Sequence, residues 1–110
     1  MNLRIKPLES FKKEVKKLSK KYKHIANDLK VLNDELTINP KSGVELGNNC
    51  YKIRLSNSSI PTEKSGGFIV IYYFIDTQGI IYLITIYSKN EIINISDTEL
   101  LEILKNNGIF

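Results

Sequence analysis

Lys64-Ser-Gly-Gly-Phe68-Ile-Val-Ile-Tyr-Tyr-Phe-Ile75-Asp-Thr-Gln-Gly79-Ile-Ile-Tyr-Leu-Ile-Thr-Ile-Tyr87-Ser-Lys-Asn-Glu91 is the stretch on which the fold turns. Two runs rich in β-branched and aromatic residues, Phe68 to Ile75 and Ile80 to Tyr87, flank the turn-forming Asp76-Thr77-Gln78-Gly79. That pattern predicts a β-hairpin with a short loop. Both strands are too apolar to face water on either side, so the sheet needs cover, and the long helical pattern at the N-terminus is the segment to supply it. Lys64, Lys89, Asn90 and Glu91 stand at the ends of the hairpin. Polar groups on the rim of a rigid apolar scaffold are where chemistry is expected.

The 110 residues suit one domain, read here as 1–110, with a single core. The one cysteine, Cys50, cannot form an internal disulfide, and no Cys/His cluster has zinc spacing, so the chain reads as intracellular, with no metal and no cofactor. Arg4 and Lys6 follow Met1 with no apolar signal core behind them. Phe68 to Tyr87 is interrupted midway by its polar turn, which leaves two pieces too short to span a bilayer, and no membrane association is expected. The net charge of +4 is uneven: residues 1–30 carry ten Lys/Arg against Glu9, Glu14 and Asp28, a balance of +7, which leaves −3 for the rest. A basic half suits a polyanion or an acidic protein, although a solvated lysine-rich helix face is the plainer explanation.

Leu3, Ile5 and Pro7 alternate with Arg4 and Lys6, as in a short opening strand. Ser10 stands where an N-cap belongs, ahead of an apolar stripe of Phe11, Val15, Leu18, Tyr22, Ile25, Leu29, Leu32 and Leu36. The stripe is read as two helices, about 10–20 and 23–38, folded back near Lys20-Lys21-Tyr22, and Asn39-Pro40 ends the second. Lys41 to Asn49 reads as a loop. Cys50 to Leu55 alternates, with Tyr51, Ile53 and Leu55 on one face and Lys52 and Arg54 on the other. Asn57 to Gly67 is a polar loop, and Ser96-Asp97-Thr98-Glu99 is a capping box that opens a last helix through Leu100, Leu101 and Leu104. The resulting expectation is an α+β domain: an N-terminal helical hairpin packed on a mostly antiparallel four-stranded sheet, a short C-terminal helix, and a second sheet face left partly open.

Cations projected from a sheet suit a phosphate, because fixed positive groups offset charge that develops on phosphoryl oxygens. RNA cleavage by attack of the ribose 2′-hydroxyl on its own phosphate is the reaction most easily built from them, since the substrate supplies the nucleophile and no metal is needed. On its own, a cation pair on a strand is more often two solvated side chains.

Cys50-Tyr51-Lys52-Ile53-Arg54-Leu55, Lys64-Ser65-Gly66-Gly67, Ile71-Tyr72-Tyr73-Phe74, Ile81 to Tyr87 and Lys89-Asn90-Glu91, together with the basic helical stripe ending in Asn39-Pro40-Lys41-Ser42-Gly43, resemble the RelE/HigB-like toxins of bacterial type II toxin–antitoxin modules. The resemblance covers nearly the whole chain in order. It implies a microbial-RNase-like fold, ribosome-dependent cleavage of mRNA that inhibits translation, a cytoplasmic setting, and a cognate antitoxin as partner. It implies catalytic roles for Lys52, Arg54, Lys64 and Lys89: Lys52 as base or transition-state cation, and Arg54 as phosphate clamp, which its forked donors suit. Tyr73, Tyr87 and Glu91 become candidate RNA contacts, with core packing the competing role for the tyrosines. Two positions depart from the pattern: Asn90 stands where the best-known RelE members carry a further arginine, although Lys-Asn-Glu resembles the HigB-like branch, and Ile69 is the other. After Gly-Gly-x these toxins usually carry an arginine, and here it is Ile69. Loss of one preorganised cation typically lowers rate on the order of a hundredfold, so impaired nuclease activity is expected, and a catalytically inactive homologue that binds antitoxin or ribosome is the alternative. His24 and Cys50 are assigned no chemistry.

Overall fold

The computed structural model describes residues 3–60, 67–89 and 95–109. The elements are β1 (Arg4–Pro7), α1 (Glu9–Lys21), α2 (Ile25–Ile38), β2 (Val44–Gly47), β3 (Cys50–Leu55), β4 (Phe68–Ile75), β5 (Ile80–Ser88) and α3 (Asp97–Asn106). They form one five-stranded sheet in the order β1-β5-β4-β3-β2. β1 runs parallel to β5, and every other pairing is antiparallel.

The central hairpin forms as its sequence predicts. Asp76–Gln78 makes one 3-10 turn, and Gly79 closes it at φ 62°, a left-handed conformation that costs a residue without Cβ nothing. The helical hairpin also forms, with the break at Tyr22-Lys23-His24. Ser96 caps α3, accepting a bond from the Glu99 backbone N–H at 3.1 Å.

Two expectations are corrected. The sheet has five strands, not four, because Val44–Gly47 pairs with β3 where a loop was expected. Asn48 (φ 52°) and Asn49 (φ 64°) supply the two left-handed residues that a tight two-residue hairpin needs, and asparagine tolerates that region. All four β2 residues are exposed, so no burial pattern announces the strand. Ser10, in turn, does not cap α1. The N-cap is Leu8, with no side-chain bond, and the Ser10 hydroxyl donates to the Ile84 carbonyl oxygen at 2.5 Å.

That bond falls where the sheet is irregular. Ile71 pairs with Thr85 and Tyr72 with Leu83, so Ile84 has no partner on β4, the geometry of a β-bulge. β1 ends opposite Leu83, which leaves the Ile84 carbonyl to be satisfied by Ser10. The bulge reverses the in/out parity of β5. Ile81, Leu83 and Ile86 enter the core beneath α1 and α2 with Phe11, Leu32, Leu36, Val70 and Tyr72. Ile84 and Tyr87 join a second apolar cluster on the opposite face with Cys50, Ile69, Ile71, Leu100 and Leu104. α3 covers part of that second face through Leu100 and Leu104, each worth roughly 1.5–3 kcal/mol when buried. Among the described residues no helix is long and apolar enough to cross a membrane.

Candidate functional site

Period-two alternation on β3 sends Tyr51, Ile53 and Leu55 into the core and leaves Lys52 half-buried and Arg54 exposed on the α3 side of the sheet. Their positions are about 7 Å apart along the strand. Register extends each across the sheet. Arg54 lies opposite Ile69 and Ile69 opposite Tyr87, while Lys52 lies opposite Ile71 and Ile71 opposite Thr85. The first of these rows is the one nearest the open end of the sheet.

At that end the Lys89 backbone N–H donates to the Gly67 carbonyl at 3.1 Å, so the start of β4 and the exit of β5 are tied together one residue beyond the Phe68–Ser88 pair. Gly67 also lies so close to β3 that a Cβ there would overlap the Leu55 carbonyl oxygen. Lys89 is exposed. Lys64 and Glu91 lie outside the described residues. Among the described candidates, then, Lys52 and Arg54 share the α3 face in successive rows, and Lys89 follows the last β4–β5 pair at its open end.

The two tyrosines do not converge. Tyr73 is half-buried opposite Cys50 and beside Tyr82, ring centroids 6.5 Å apart, at the far end of the face, two rows from Tyr87. Tyr87 is 3% exposed, and its hydroxyl has no hydrogen-bond partner among the described residues. Burial raises its pKa above the usual tyrosine range. The ring packs in the second apolar cluster with Ile69, itself 6% exposed. Ile69, where the resemblance leads one to expect an arginine, is therefore a packed apolar site.

Cys50 is buried in the same cluster, and burial pushes its thiol up to about 11. A thiol held protonated at neutral pH is a poor nucleophile, in keeping with the packing role expected for it. His24 is exposed in the α1–α2 connection, where its backbone N–H donates to the Ser59 hydroxyl at 2.8 Å.

Sequence reasoning passed over Thr85. It is 6% exposed, and its side chain opens onto a cleft of about 580 Å³ between α1 and the C-terminal end of α3. Its exposure to that cleft follows from the bulge at Ile84, which strand periodicity does not reveal.

No protein-family model matches the sequence. Among solved structures the chain is similar to a free-state mutant of the E. coli toxin RelE, with a TM-score of 0.62 and 21% sequence identity over 96% of this chain and 98% of that one. The architecture is a RelE-like toxin fold.

Proposed function

We propose that this chain is the toxin component of a type II toxin–antitoxin pair, a ribosome-dependent mRNA interferase whose site lies at the open end of the α3 face. The observation that carries the reading is that Lys52 and Arg54 share the α3 face of β3, with Lys89 at the open end of the same sheet, on a scaffold of RelE-like fold. In the proposed reaction the ribose 2′-hydroxyl attacks the adjacent phosphorus, and the bond to the leaving 5′-oxygen breaks. Lys52 acts as base or transition-state cation, Arg54 grips the non-bridging oxygens through its fork, and Lys64 and Lys89 add positive charge. Half-buried Tyr73 offers a face for base stacking, and Glu91 a polar RNA contact. Tyr87 contacts RNA only if its present cover moves. A cognate antitoxin would neutralise the protein, and the ribosome would present the mRNA.

One observation favours the alternative, a non-catalytic module that binds antitoxin or ribosome. Ile69 fills its position as a core residue, with no cation between Arg54 and Tyr87. The deciding experiment is cell-free translation with mapping of mRNA 5′ ends, with and without ribosomes, on the chain as it stands, Ile69→Arg, and Lys52→Ala/Arg54→Ala. Cleavage by the unsubstituted chain only on ribosomes, abolished in the double variant, supports the interferase. Cleavage by Ile69→Arg alone identifies a toxin scaffold disabled at one position. No cleavage by either sinks the nuclease reading in favour of the binding module.

A further inference from the structure

The cleft between α1 and α3 is lined on one wall by Lys13, Lys16, Lys17 and Lys20. These residues recur at helical spacing on one side of α1, over a rise of about 10 Å. The two acids on the same wall are each engaged within the helix: Glu14 pairs with Lys17 at 3.6 Å, and Glu9 pairs with Lys12 at 3.5 Å. Lys13, Lys16 and Lys20 have no ion pair among the described residues. Like charges held in a row along one helix repel, and a polyanion relieves that repulsion.

Thr85, from the bulged stretch of β5, lies at the floor of the cleft. It is 6% exposed and is one of the residues that line the cleft. Asn106 and Asn107 from the end of α3 line the opposite side, and the Asn107 amide is already directed to the Ile103 carbonyl at 2.7 Å. Ile103 is the one apolar side chain on the lining.

We infer that this cleft binds the phosphodiester backbone of a single-stranded nucleic acid, with Lys13, Lys16 and Lys20 taking phosphates and the Thr85 hydroxyl donating to a phosphate or sugar oxygen. A protein segment is the poorer fit, because stable protein contacts are anchored by apolar or aromatic side chains in dry pockets and this lining offers one isoleucine. Backbone binding needs no such anchors. The track also has a direction. α1 is fixed to β5 at both ends, by Ser10 to the Ile84 carbonyl and by the Tyr22 hydroxyl 3.4 Å from that of Ser88. The lysine row therefore runs alongside β5 toward the end that carries Lys89. The cleft does not depend on cleavage at the sheet face, and it stands whether the chain is a nuclease or a binding module.

The test is fluorescence anisotropy of a labelled oligouridylate of about 12 nucleotides with the full chain, between about 50 and 200 mM salt. Lys13→Gln/Lys16→Gln/Lys20→Gln is compared with the charge-matched Lys6→Gln/Lys30→Gln/Lys41→Gln, which removes three lysines elsewhere. The cleft triple should bind at least roughly tenfold more weakly and lower the salt slope by about two, while the control triple changes affinity by about twofold or less. Thr85→Val should weaken binding several-fold with the slope intact, because it removes no charge. Lys52→Gln/Arg54→Gln should retain the cleft's contribution even where cleavage is lost, which separates failure of this site from failure of the nuclease reading. No binding by the unsubstituted chain, equal losses in the two triples, or displacement by poly-glutamate as effective as by oligouridylate would each overturn the assignment, the last in favour of an acidic protein partner.

Discussion

Ile69 and Tyr87 stand opposite one another across β4 and β5, and the Tyr87 hydroxyl, sealed in the same apolar cluster, meets no hydrogen-bond partner among the described residues. A buried hydroxyl without a partner costs about 1–3 kcal/mol in lost hydration. Tyr87→Phe removes that cost and keeps the ring, so the variant should be more stable by about 1 kcal/mol, a rise of a few degrees in Tm for a domain of this size. A fall in Tm on calorimetry would mean that the hydroxyl is bonded.

The same substitution at Tyr72 should have the opposite sign. The Tyr72 hydroxyl donates to the Pro40 carbonyl at 2.8 Å and accepts from the Gly43 N–H at 3.1 Å, pinning the chain between α2 and β2 to the sheet. Tyr72→Phe leaves both backbone groups without this partner and should destabilise by about 1–3 kcal/mol. Denaturant midpoints of the two phenylalanine variants, measured side by side, check the contrast.

Gly67→Ala should damage the open end of the α3 face without touching a charged group. Its Cβ would run into the Leu55 carbonyl oxygen, which belongs to the backbone and cannot swing aside as a side-chain tip would. The strand has to shift, at a cost of about 1–3 kcal/mol or more. Because Gly67 also accepts the bond from Lys89, amide exchange at Lys89 should accelerate. Unchanged protection there would show that the strands accommodate the methyl group.

Ser10→Ala should destabilise the fold by about 1–2 kcal/mol through the Ile84 carbonyl, not through helix capping. Restoring an N-cap by Leu8→Ser in the Ser10→Ala background should therefore fail to recover the loss. Recovery of the wild-type Tm would place the role of Ser10 in α1 itself.

Cys50 gives the stability a pH dependence. Burial raises its thiol from 9.0 to about 11, so the folded state holds this proton more tightly than the unfolded chain does. The contribution is complete below about pH 9 and lost as pH rises toward 11, on the order of 2–3 kcal/mol in all. Burial raises Tyr72 and Tyr87 as well, and they act in the same direction. Comparing urea midpoints of the native chain and Cys50→Ala across this range isolates the thiol: the gap between them should narrow with pH.

Much of the architecture was legible in the residues. The two apolar runs around Asp76–Gly79 specified a hairpin because the polar turn interrupts them, and period two on Cys50–Leu55 put Lys52 and Arg54 on one face because three of their neighbours are apolar. The stripe from Phe11 to Leu36 gave two helices, and Ser96 to Glu99 gave the last helix its start. Such features depend on local chemistry, which the sequence by itself determines.

Tertiary structure decided the rest. From Ile80 to Tyr87 nearly every residue is apolar, so either parity buries well, and nothing in the sequence says where the alternation slips. Pairing with Leu83 and Thr85 on β4 leaves Ile84 over, and that single extra residue sends Tyr87 to the α3 face and opens Thr85 onto the lysine-lined cleft. β2 was hidden for the converse reason: an exposed edge strand has no buried face, and its hydrogen bonds to β3 hold it in place. The charge asymmetry was plain in the first 30 residues, but the end of α3 had to come beside α1 before the row of lysines acquired an opposite wall.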